Sequence, residues 1–194
     1  VVVTGANSGI GFEAALALAR RRGRVVLACR SGERANAAAE RIRRSVPDAR
    51  LDVELLDLGS LASVRAFATR MLDRHPRIDA LCNNAGLMAL PRQLTEDGFE
   101  MQLGVNHLGH FALTGLLLAP LFAAPGARVV TVSSMMHRRG HILFDDLDFE
   151  RGYERWSAYA RSKLANLWFA YELDRRLRRA GKSPISVACH PGYA

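Results

Sequence analysis

Apolar residues along this chain fall into short continuous runs that alternate with longer stretches of helical periodicity. Continuous runs predict strands covered on both faces, as in parallel sheets, because a strand with one solvated face alternates apolar and polar residues. The predicted strands span residues 1–4, 24–29, 51–56, 80–83, 128–132 and 185–189. The predicted helices span residues 9–21, 34–45, 61–74, 98–121 and 156–180.

Six strands alternate with five helices, with no linker between them, which predicts one α/β domain over residues 1–194. The expected fold is a Rossmann-type, doubly wound parallel sheet, and such sheets bind ligands at the carboxyl ends of their strands. Ser60 and Ser157 are the expected caps near two helix starts. Residues 135–155 form one long connection, interpreted either as a lid or binding loop or as a surface excursion.

A glycine-rich segment, TGANSGIG (4–11), joins the first predicted strand directly to a helix. Glycines let the backbone turn sharply and approach a pyrophosphate, which the helix N-terminus then stabilises. The spacing differs from the common G-x-G-x-x-G, and glycine-rich turns also occur for structural reasons alone. The strand-turn-helix context favours a dinucleotide site. Its expected cofactor-binding residues are Gly5, Asn7, Ser8, Gly9, Ile10 and Gly11.

The end of the second strand bears on the choice of cofactor. NAD enzymes usually place an acid there for the ribose hydroxyls, whereas NADP enzymes offer an arginine to the 2′-phosphate. Here Arg30 follows Cys29, and the first carboxylate is that of Glu33, so NADP(H) is favoured over NAD(H). The alternative is that Arg30 is a solvated charge. After the third strand, Asp57 is expected to accept a hydrogen bond from adenine or to cap a helix, with Leu58 beside it.

Small residues follow the fourth strand in the tetrapeptide NNAG (83–86). They would let a cofactor lie across the sheet edge, with Asn83, Ala85 and Gly86 as the expected cofactor-binding residues. Asparagine side chains would tie the neighbouring loops together. As a tetrapeptide alone, the same sequence could form an ordinary turn.

Tyr159 and Lys163 are four residues apart in a predicted helix, so both project from one face. A free tyrosine has a pKa of about 10 and is a poor base at neutral pH. A neighbouring ammonium lowers that pKa, which suits tyrosine for proton exchange with a carbonyl or alcohol. Ser134 follows the fifth strand, where its hydroxyl could polarise the reacting oxygen. Asn106 lies in the preceding helix and could hold a water for proton relay.

Taken in order, these pieces resemble the short-chain dehydrogenase/reductase family along essentially the whole chain. The segments VSSMMH and YARSKLAN are similar to the branch of retinol dehydrogenase-like and protochlorophyllide reductase-like proteins. The matching segments are TGANSGIG (4–11), DL (57–58), NNAG (83–86), the asparagine of GVNHLG (104–109), VSS (132–134), YARSK (159–163) and HPG (190–192).

The resemblance implies a role for each candidate residue. Tyr159 would be the general acid/base, and Lys163 would lower its pKa and bind the nicotinamide ribose. Both residues would also belong to the cofactor-binding set. Ser134 would orient the substrate oxygen, Asn106 would hold the relay water, and Pro191-Gly192 would contact the nicotinamide. In the family, substrate-loop helices and a last strand follow these residues. The resemblance therefore implies that the chain is truncated and that those elements are missing.

The predicted function is that of an oxidoreductase that transfers a hydride between NADP(H) and a small-molecule carbonyl or alcohol. Met135 and Met136 suggest a lipophilic substrate, although methionine often serves in packing. The alternative is a catalytically silent NADP-binding sensor on the same fold, but such sensors usually lose the tyrosine or the lysine. A sugar-nucleotide epimerase or dehydratase is a third interpretation, for which the glycine spacing would differ.

The net charge of +8, carried almost wholly by arginine, indicates either an anionic partner or a solvated surface. The arginines are spread over helix faces rather than interleaved with aromatic residues, so no nucleic acid partner is predicted. Three cysteines without metal-ligand spacing predict no metal site and suggest reduced thiols in the cytoplasm. No membrane segment is indicated, because the apolar stretch 111–124 is too short to span a bilayer. An exposed sixth strand would offer backbone groups to other chains, which leaves a homo-oligomer open.

Overall fold

The computed structural model describes residues 1–192, which form one six-stranded sheet with helices on both faces. The strands are β1 (Val2–Thr4), β2 (Arg24–Cys29), β3 (Arg50–Leu55), β4 (Ala80–Asn83), β5 (Arg128–Val132) and β6 (Ile185–Cys189). The helices are α1 (Gly9–Arg20), α2 (Gly32–Ser45), α3 (Leu61–Arg74), α4 (Met101–Leu103), α5 (Gly109–Leu116), α6 (Leu118–Phe122) and α7 (Arg155–Arg179). Neighbouring strands are parallel in the order β3-β2-β1-β4-β5-β6, which confirms the predicted doubly wound Rossmann-type sheet.

Alternate side chains of the central strands enter two separate apolar cores, one on each face of the sheet. In β2, Val25 and Leu27 join the core formed with α1 and α2, whereas Val26 joins the core formed with α3 and α5. Both faces of the central strands are therefore shielded from water, which explains the continuous apolar run of β2, whereas the edge strand β3 carries Asp52 and Glu54. None of the helices in residues 1–192 has the length and apolarity needed to cross a membrane.

The prediction of a single helix over residues 98–121 is wrong, because the helical segment is broken in several places. It begins later, where the carboxylate of Glu100 accepts hydrogen bonds from two backbone N–H groups of α4. Residues Gly104–Leu108 then form a π-helical turn that leads into α5. A further break separates α5 from α6, because Pro120 lacks the N–H group that a continuous helix would use there.

The helix caps agree with the prediction at one site and differ at another. Ser60 caps α3 as predicted. Helix α7 is capped by Glu154, whose carboxylate accepts hydrogen bonds from the N–H groups of Trp156 and Ser157 at 3.0 and 2.7 Å. The prediction of Ser157 as the cap is therefore wrong. A carboxylate at this position also faces the positive end of the helix dipole.

A buried arginine organises the long connection between β5 and α7. Arg161 of α7 is 2% exposed, and its guanidinium lies 3.6 Å from the centroid of the Phe149 ring. It donates hydrogen bonds to three backbone carbonyl groups of residues 140–154, those of His141, Asp146 and Leu147. These partners offset the cost of burying the charge, and they fix the path of residues 140–154 over the helix.

Gly140 ends a 3₁₀-helical turn, Met135–Arg139, in direct contact with α7. A Cβ atom at Gly140 would lie 2.6 Å from the Ala160 carbonyl oxygen and 2.9 Å from Leu164 Cβ. We expect Gly140→Ala to lower the free energy of unfolding by about 1–3 kcal/mol, because overpacking would push the turn away from the helix. Urea unfolding followed by circular dichroism measures this loss.

Gly115→Ala in α5 is the matched control. A Cβ atom there meets nothing within 4 Å, and alanine favours a helix over glycine by up to about 1 kcal/mol. The control should therefore be at least as stable as the wild type. Equal stability of the Gly140→Ala variant and the wild type would contradict the close packing of the turn on α7.

Candidate active site

A cavity of about 660 Å³ lies at the carboxyl ends of β1 to β4. Its walls come from the glycine-rich loop, the start of α2, the loop after β3 and the NNAG loop. The predicted cofactor-binding residues on these walls are Gly5, Asn7, Ser8, Ile10, Gly11, Arg30, Asp57, Leu58, Ala85 and Gly86. The structure places the other predicted cofactor-binding residues outside the wall, namely Gly9, Asn83, Tyr159, Lys163, Pro191 and Gly192.

The glycine-rich loop needs its glycines for different physical reasons. Gly5 and Gly9 adopt φ angles of +65° and +53°, in the left-handed region that favours glycine. Gly11 lies so close to the loop that a side chain there would overlap the carbonyl oxygen of Gly5. Ser8 holds the N-cap position of α1, but its side chain makes no capping hydrogen bond. This arrangement suits a site where the first N–H groups of α1 bind an anion.

Basic and polar residues stand at the cavity wall beside the end of β2. Arg30 is exposed there, and Arg34 joins it from the first turn of α2. Ser31 caps that helix by accepting a hydrogen bond from the Arg34 N–H group at 3.3 Å. Glu33 lines the same wall, so this part of the cavity carries two guanidinium groups and one carboxylate. Arg34 was missed by sequence reasoning, although a basic residue in the first turn of a helix opposes the dipole and was a usable signal.

Asp57 is held in place at the cavity wall by its own loop. Its Oδ1 atom accepts a hydrogen bond from the Gly59 N–H group at 2.8 Å, and its backbone N–H donates to Ser63 Oγ at 2.9 Å. The cap of α3 is Ser60, so the alternative interpretation of Asp57 as a helix cap is wrong. The hydrogen bond to adenine stays a prediction that this placement permits.

Thr4 holds the NNAG loop against the end of β1. Its Oγ1 atom accepts hydrogen bonds from the N–H groups of Asn84 and Ala85, both at 2.9 Å. The Asn84 side chain donates in turn to the Thr4 carbonyl oxygen at 2.8 Å. Asn83 is buried instead, and its amide donates to Thr114 Oγ1 at 3.0 Å. The cavity wall therefore carries Asn84, which sequence reasoning did not select, in place of Asn83.

A buried histidine extends this network to the π-helical turn. His110 Nε2 lies 2.8 Å from Thr4 Oγ1, and its Nδ1 lies 3.0 Å from the Asn106 carbonyl oxygen. Because a carbonyl oxygen only accepts, Nδ1 carries a proton. Thr4 Oγ1 already accepts two N–H groups, so its hydroxyl proton is directed at Nε2, which accepts it. The hydrogen-bond pattern requires a neutral ring. Burial acts in the same direction and lowers the pKa of His110 to about 4.

The predicted catalytic residues Lys163, Asn106 and Tyr159 converge beside the NNAG loop. A Cβ atom at Gly86 would lie 3.4 Å from Lys163 Nζ and 3.3 Å from Asn106 Oδ1, so both side chains border this glycine. Lys163 Nζ donates a hydrogen bond to the Val132 carbonyl oxygen at 3.1 Å and lies 5.6 Å from the centroid of the Tyr159 ring. Burial lowers the pKa of Lys163 to about 8, so most molecules still carry the ammonium at neutral pH.

Asn106 ties the loop after β4 to the helices through its carboxamide. Its Oδ1 accepts from the Leu87 N–H group at 2.7 Å, while Nδ2 donates to the Leu87 carbonyl oxygen and to Ser162 Oγ, both at 2.9 Å. The side chain is fully buried in the π-helical turn. Its role in the structure is therefore to position the loop, and the relay water stays a prediction.

The two serines after β5 have different surroundings. Ser133 is buried and donates a hydrogen bond to the Lys163 carbonyl oxygen at 2.8 Å. Ser134 is half-buried at the start of the 3₁₀ turn, where its Oγ accepts from the Met136 N–H group at 3.2 Å. Because Gly140 lets this turn pack on α7, the turn that carries Ser134 touches the helix that carries Tyr159. The second serine is the more accessible of the pair.

Pro191 and Gly192 follow the end of β6, on the other half of the sheet edge. Cys189 pairs with Val132 of β5, whose carbonyl group accepts the hydrogen bond from Lys163. This register places the HPG segment on the strand next to the one that leads to Ser134. Both residues are exposed. Their contact with a nicotinamide stays a prediction.

The family model for short chain dehydrogenase matches residues 1–194. The chain belongs to the short-chain dehydrogenase family. It is 50% identical over 196 residues to human retinol dehydrogenase 13, in an alignment that covers 100% of this chain and 58% of that protein. The resemblance to the retinol dehydrogenase-like branch is thereby confirmed, and the chain spans 58% of the length of this relative.

Solved structures agree with the fold of this short-chain dehydrogenase. An uncharacterized protein from Mycobacterium paratuberculosis has a TM-score of 0.89 at 50% identity, covering 100% of this chain and 68% of that one. A short chain dehydrogenase from Escherichia coli CFT073 complexed with NADPH has a TM-score of 0.78 at 27% identity, covering 98% of this chain and 75% of that one. Within residues 1–192, no group of three or more His, Cys, Asp or Glu side chains is arranged to hold a metal ion.

The neutral His110 should make the stability of this short-chain dehydrogenase depend on pH. An unfolded histidine titrates at about 6.5, so between that pH and about 4 the unfolded chain binds the proton more readily than the folded one. The contribution of His110 to the free energy of unfolding is therefore constant above a pH of about 6.5 and falls as the pH drops toward 4. His110→Gln should reduce this loss of unfolding free energy, measured in urea at each pH, while costing about 1–3 kcal/mol at pH 7 through the lost hydrogen bonds.

His141→Gln is the control, because the side chain of His141 is exposed. This variant should follow the wild-type dependence on pH. If the His110→Gln variant also followed it between pH 6.5 and 4, His110 would not be the group that takes up the proton on unfolding.

Proposed function

We propose that this protein is an oxidoreductase that transfers a hydride between NADP(H) and the carbonyl or alcohol group of a small-molecule substrate. One observation carries the proposal: Lys163 and Asn106 border Gly86, next to a cavity suited to an anionic cofactor, and the Tyr159 ring lies beside Lys163. Burying an ammonium is costly, and a fold that only senses a nucleotide has no use for one beside a tyrosine. The convergence therefore favours catalysis over the silent sensor.

The residues of the cavity fit a dinucleotide. The N-terminus of α1 offers its positive dipole end to a pyrophosphate. Gly5 and Gly86 carry no side chain, and a Cβ atom at either position would crowd residues of the neighbouring segments. Arg30 and Asp57 lie farther along the same cavity, where an adenosine would extend. The bound nicotinamide supplies or accepts the hydride.

The side chains of the chain itself would handle the proton. Tyr159 gives its hydroxyl proton to the substrate oxygen during reduction and takes a proton back during oxidation. The positive charge of Lys163, 5.6 Å from the centroid of the Tyr159 ring, stabilises the negative charge that the tyrosine acquires. Ser134 donates a hydrogen bond to the same substrate oxygen and orients it. Lys163 also holds the nicotinamide ribose.

We further infer a preference for NADP(H) over NAD(H). Arg30 and Arg34 both stand at the cavity wall beside the end of β2, where a 2′-phosphate would lie. A planar guanidinium binds a phosphate through two parallel hydrogen bonds, which a ribose hydroxyl cannot accept. The Escherichia coli relative complexed with NADPH adds support for this choice.

Arg30→Asp should remove most of the preference for NADPH. The variant loses a charge-assisted contact and gains a repelling carboxylate, so its Kd for NADPH should rise by roughly thirtyfold, or about 2 kcal/mol. Its Kd for NADH should change by less than about threefold. Calorimetric titration of the full-length protein with both cofactors measures the two constants.

Arg43→Asp controls for net charge, because Arg43 is an exposed arginine in the last turn of α2, far from the cavity. It should keep the wild-type ratio of the two dissociation constants. Equal affinity of the unmodified protein for NADPH and NADH would contradict the proposed preference.

Tyr159→Phe should lower kcat by at least about 100-fold, because the proton donor is lost. Binding of NADPH should stay within about twofold of the wild type, since the ring remains. Stopped-flow absorbance of NADPH and titration calorimetry give the two values. Tyr171→Phe is the matched control on the same helix, at a position that is 67% exposed. Retention of most of the activity in the Tyr159→Phe variant would mean that another group acts as the acid.

The substrate that we propose is a lipophilic alcohol or aldehyde. The name of human retinol dehydrogenase 13 suggests an apolar substrate, and Met135 and Met136 lie next to Ser134. We also propose a cytoplasmic location, since Cys29, Cys82 and Cys189 are all free thiols, as is typical of a reducing compartment.

A further inference from the structure

A second groove lies between α5 and α7 and shares no wall residue with the cavity of the candidate active site. Its volume is about 610 Å³, and sites for small molecules typically have volumes of roughly 300–1,000 Å³. The segment between the 3₁₀ turn and α7 closes it on the third side. Most of its walls are apolar and come from Leu103, Phe111, Phe144, Leu147, Trp168 and Phe169.

Three aromatic rings pack together along the groove. The His107 ring lies 6.1 Å from the Phe111 ring and 6.0 Å from the Phe169 ring, measured between centroids. Phe111 is nevertheless 57% exposed, and Trp168 is 49% exposed. Gly115 leaves open space beside them, because a Cβ atom there would meet nothing within 4 Å. Large apolar groups that are exposed together mark a place where a ligand or partner binds.

The hydrogen bonds of His107 determine which ring nitrogen carries the proton. Asn166 Nδ2 donates to the Val132 carbonyl oxygen at 3.2 Å, so Oδ1 is the amide atom that faces His107. Oδ1 only accepts, and it lies 3.2 Å from His107 Nδ1, so Nδ1 carries the proton. Burial lowers the pKa of His107, which keeps the ring neutral at neutral pH. Nε2 of this neutral ring is therefore an acceptor.

No group within residues 1–192 donates a hydrogen bond to His107 Nε2. The atom is not sealed inside the protein either, because the fully buried side-chain atoms without a partner in this range are Asn83 Oδ1 and Ser186 Oγ. Since the His107 ring lines the groove, Nε2 is reached from the groove. The groove thus presents one unused acceptor on an apolar wall.

The charged side chains of the groove already have partners in the protein. Arg176 Nε lies 2.7 Å from Glu172 Oε1, and Arg161 donates to three backbone carbonyl groups. A carboxylate ligand has no proton to give to Nε2, and an ammonium ligand would lose its hydration against apolar walls. An uncharged hydroxyl supplies the missing proton at a lower cost of desolvation. The complementary ligand therefore has an apolar body and a hydroxyl group.

We propose that this groove is a second binding site, which holds an uncharged lipophilic alcohol whose hydroxyl donates a hydrogen bond to His107 Nε2. The apolar body of the alcohol lies against Phe111 and Trp168. The inference goes beyond the proposed function and does not depend on it, because Tyr159 and Lys163 are not on the walls of the groove. An ether of the same length has the oxygen but no proton, so it would leave Nε2 without a partner.

The first experiment titrates the full-length protein, free of cofactor, with 1-decanol and with decyl methyl ether by calorimetry. The wild type should bind the alcohol with a Kd about tenfold lower than that of the ether. His107→Asn keeps an amide donor near the position of Nδ1, and His107→Phe keeps a ring, but both variants lack Nε2. In both, the two Kd values should agree within about twofold. His141→Asn changes an exposed histidine outside the groove and should keep the tenfold ratio.

The outcomes of this titration are distinct. Equal affinity of the wild type for the alcohol and the ether would overturn the proposal, and so would a tenfold ratio that persists in both His107 variants. Gly115→Leu extends a side chain into the open space of the groove and should raise both Kd values by at least about tenfold. Unchanged binding by that variant would place the alcohol elsewhere and would contradict the assigned site.

A second copy of this chain is the competing occupant of the groove. Sedimentation velocity of the full-length wild type and of Trp168→Glu tests for it, because a glutamate in the groove would disrupt an apolar interface between copies. Equal sedimentation coefficients, together with binding of 1-decanol by the wild type, would support the alcohol site. If the wild type is a dimer that Trp168→Glu dissociates and it binds no decanol, a second copy fills the groove and the proposal fails.

Discussion

A neutral imidazole inside the protein joins three segments that are far apart in the sequence. His110 accepts from the Thr4 hydroxyl at the end of β1 and donates to the Asn106 carbonyl group in the π-helical turn. Thr4 in turn receives the N–H groups of the loop after β4. The uncharged, fully hydrogen-bonded ring thereby links the end of β1 and the NNAG loop to the π-helical turn that carries Asn106.

Asn106 and Lys163 extend the same constraint to the other half of the sheet. The Asn106 carboxamide holds Leu87 and Ser162, and the Lys163 ammonium reaches back to the carbonyl group of Val132. Helix α7 is thus attached to β5 and to the loop after β4 by polar groups that water cannot reach. A site assembled in this way needs little rearrangement before a ligand binds, because its polar groups are already paired in fixed directions.

The sequence predicted the sheet well and the polar interior poorly, for physical reasons. Burial on both faces leaves a direct mark on each strand, as in the continuous apolar run of β2. Asn83 is buried in the interior, and Asn84 lines the cavity. Because the two residues are identical and adjacent, the local sequence does not show which of them is buried. His110 bonds to Thr4, 106 residues away in the sequence, and Arg161 bonds to His141, 20 residues away. Only the folded chain therefore shows the role of either residue. The break before Pro120 had a local cause and could have been anticipated.

Arg161 attaches residues 140–154 through carbonyl oxygens of the backbone. Every amino acid presents that oxygen, so these three hydrogen bonds do not depend on which side chains the segment carries, whereas the contact of the guanidinium with the Phe149 ring does. Mutations can replace the outward residues at positions such as Leu143 and Phe144, both exposed, while the segment keeps its path. The fold therefore separates the support of this segment from its chemistry. Over evolutionary time, relatives with the same arginine can change the exposed residues of this segment while its backbone stays attached to α7.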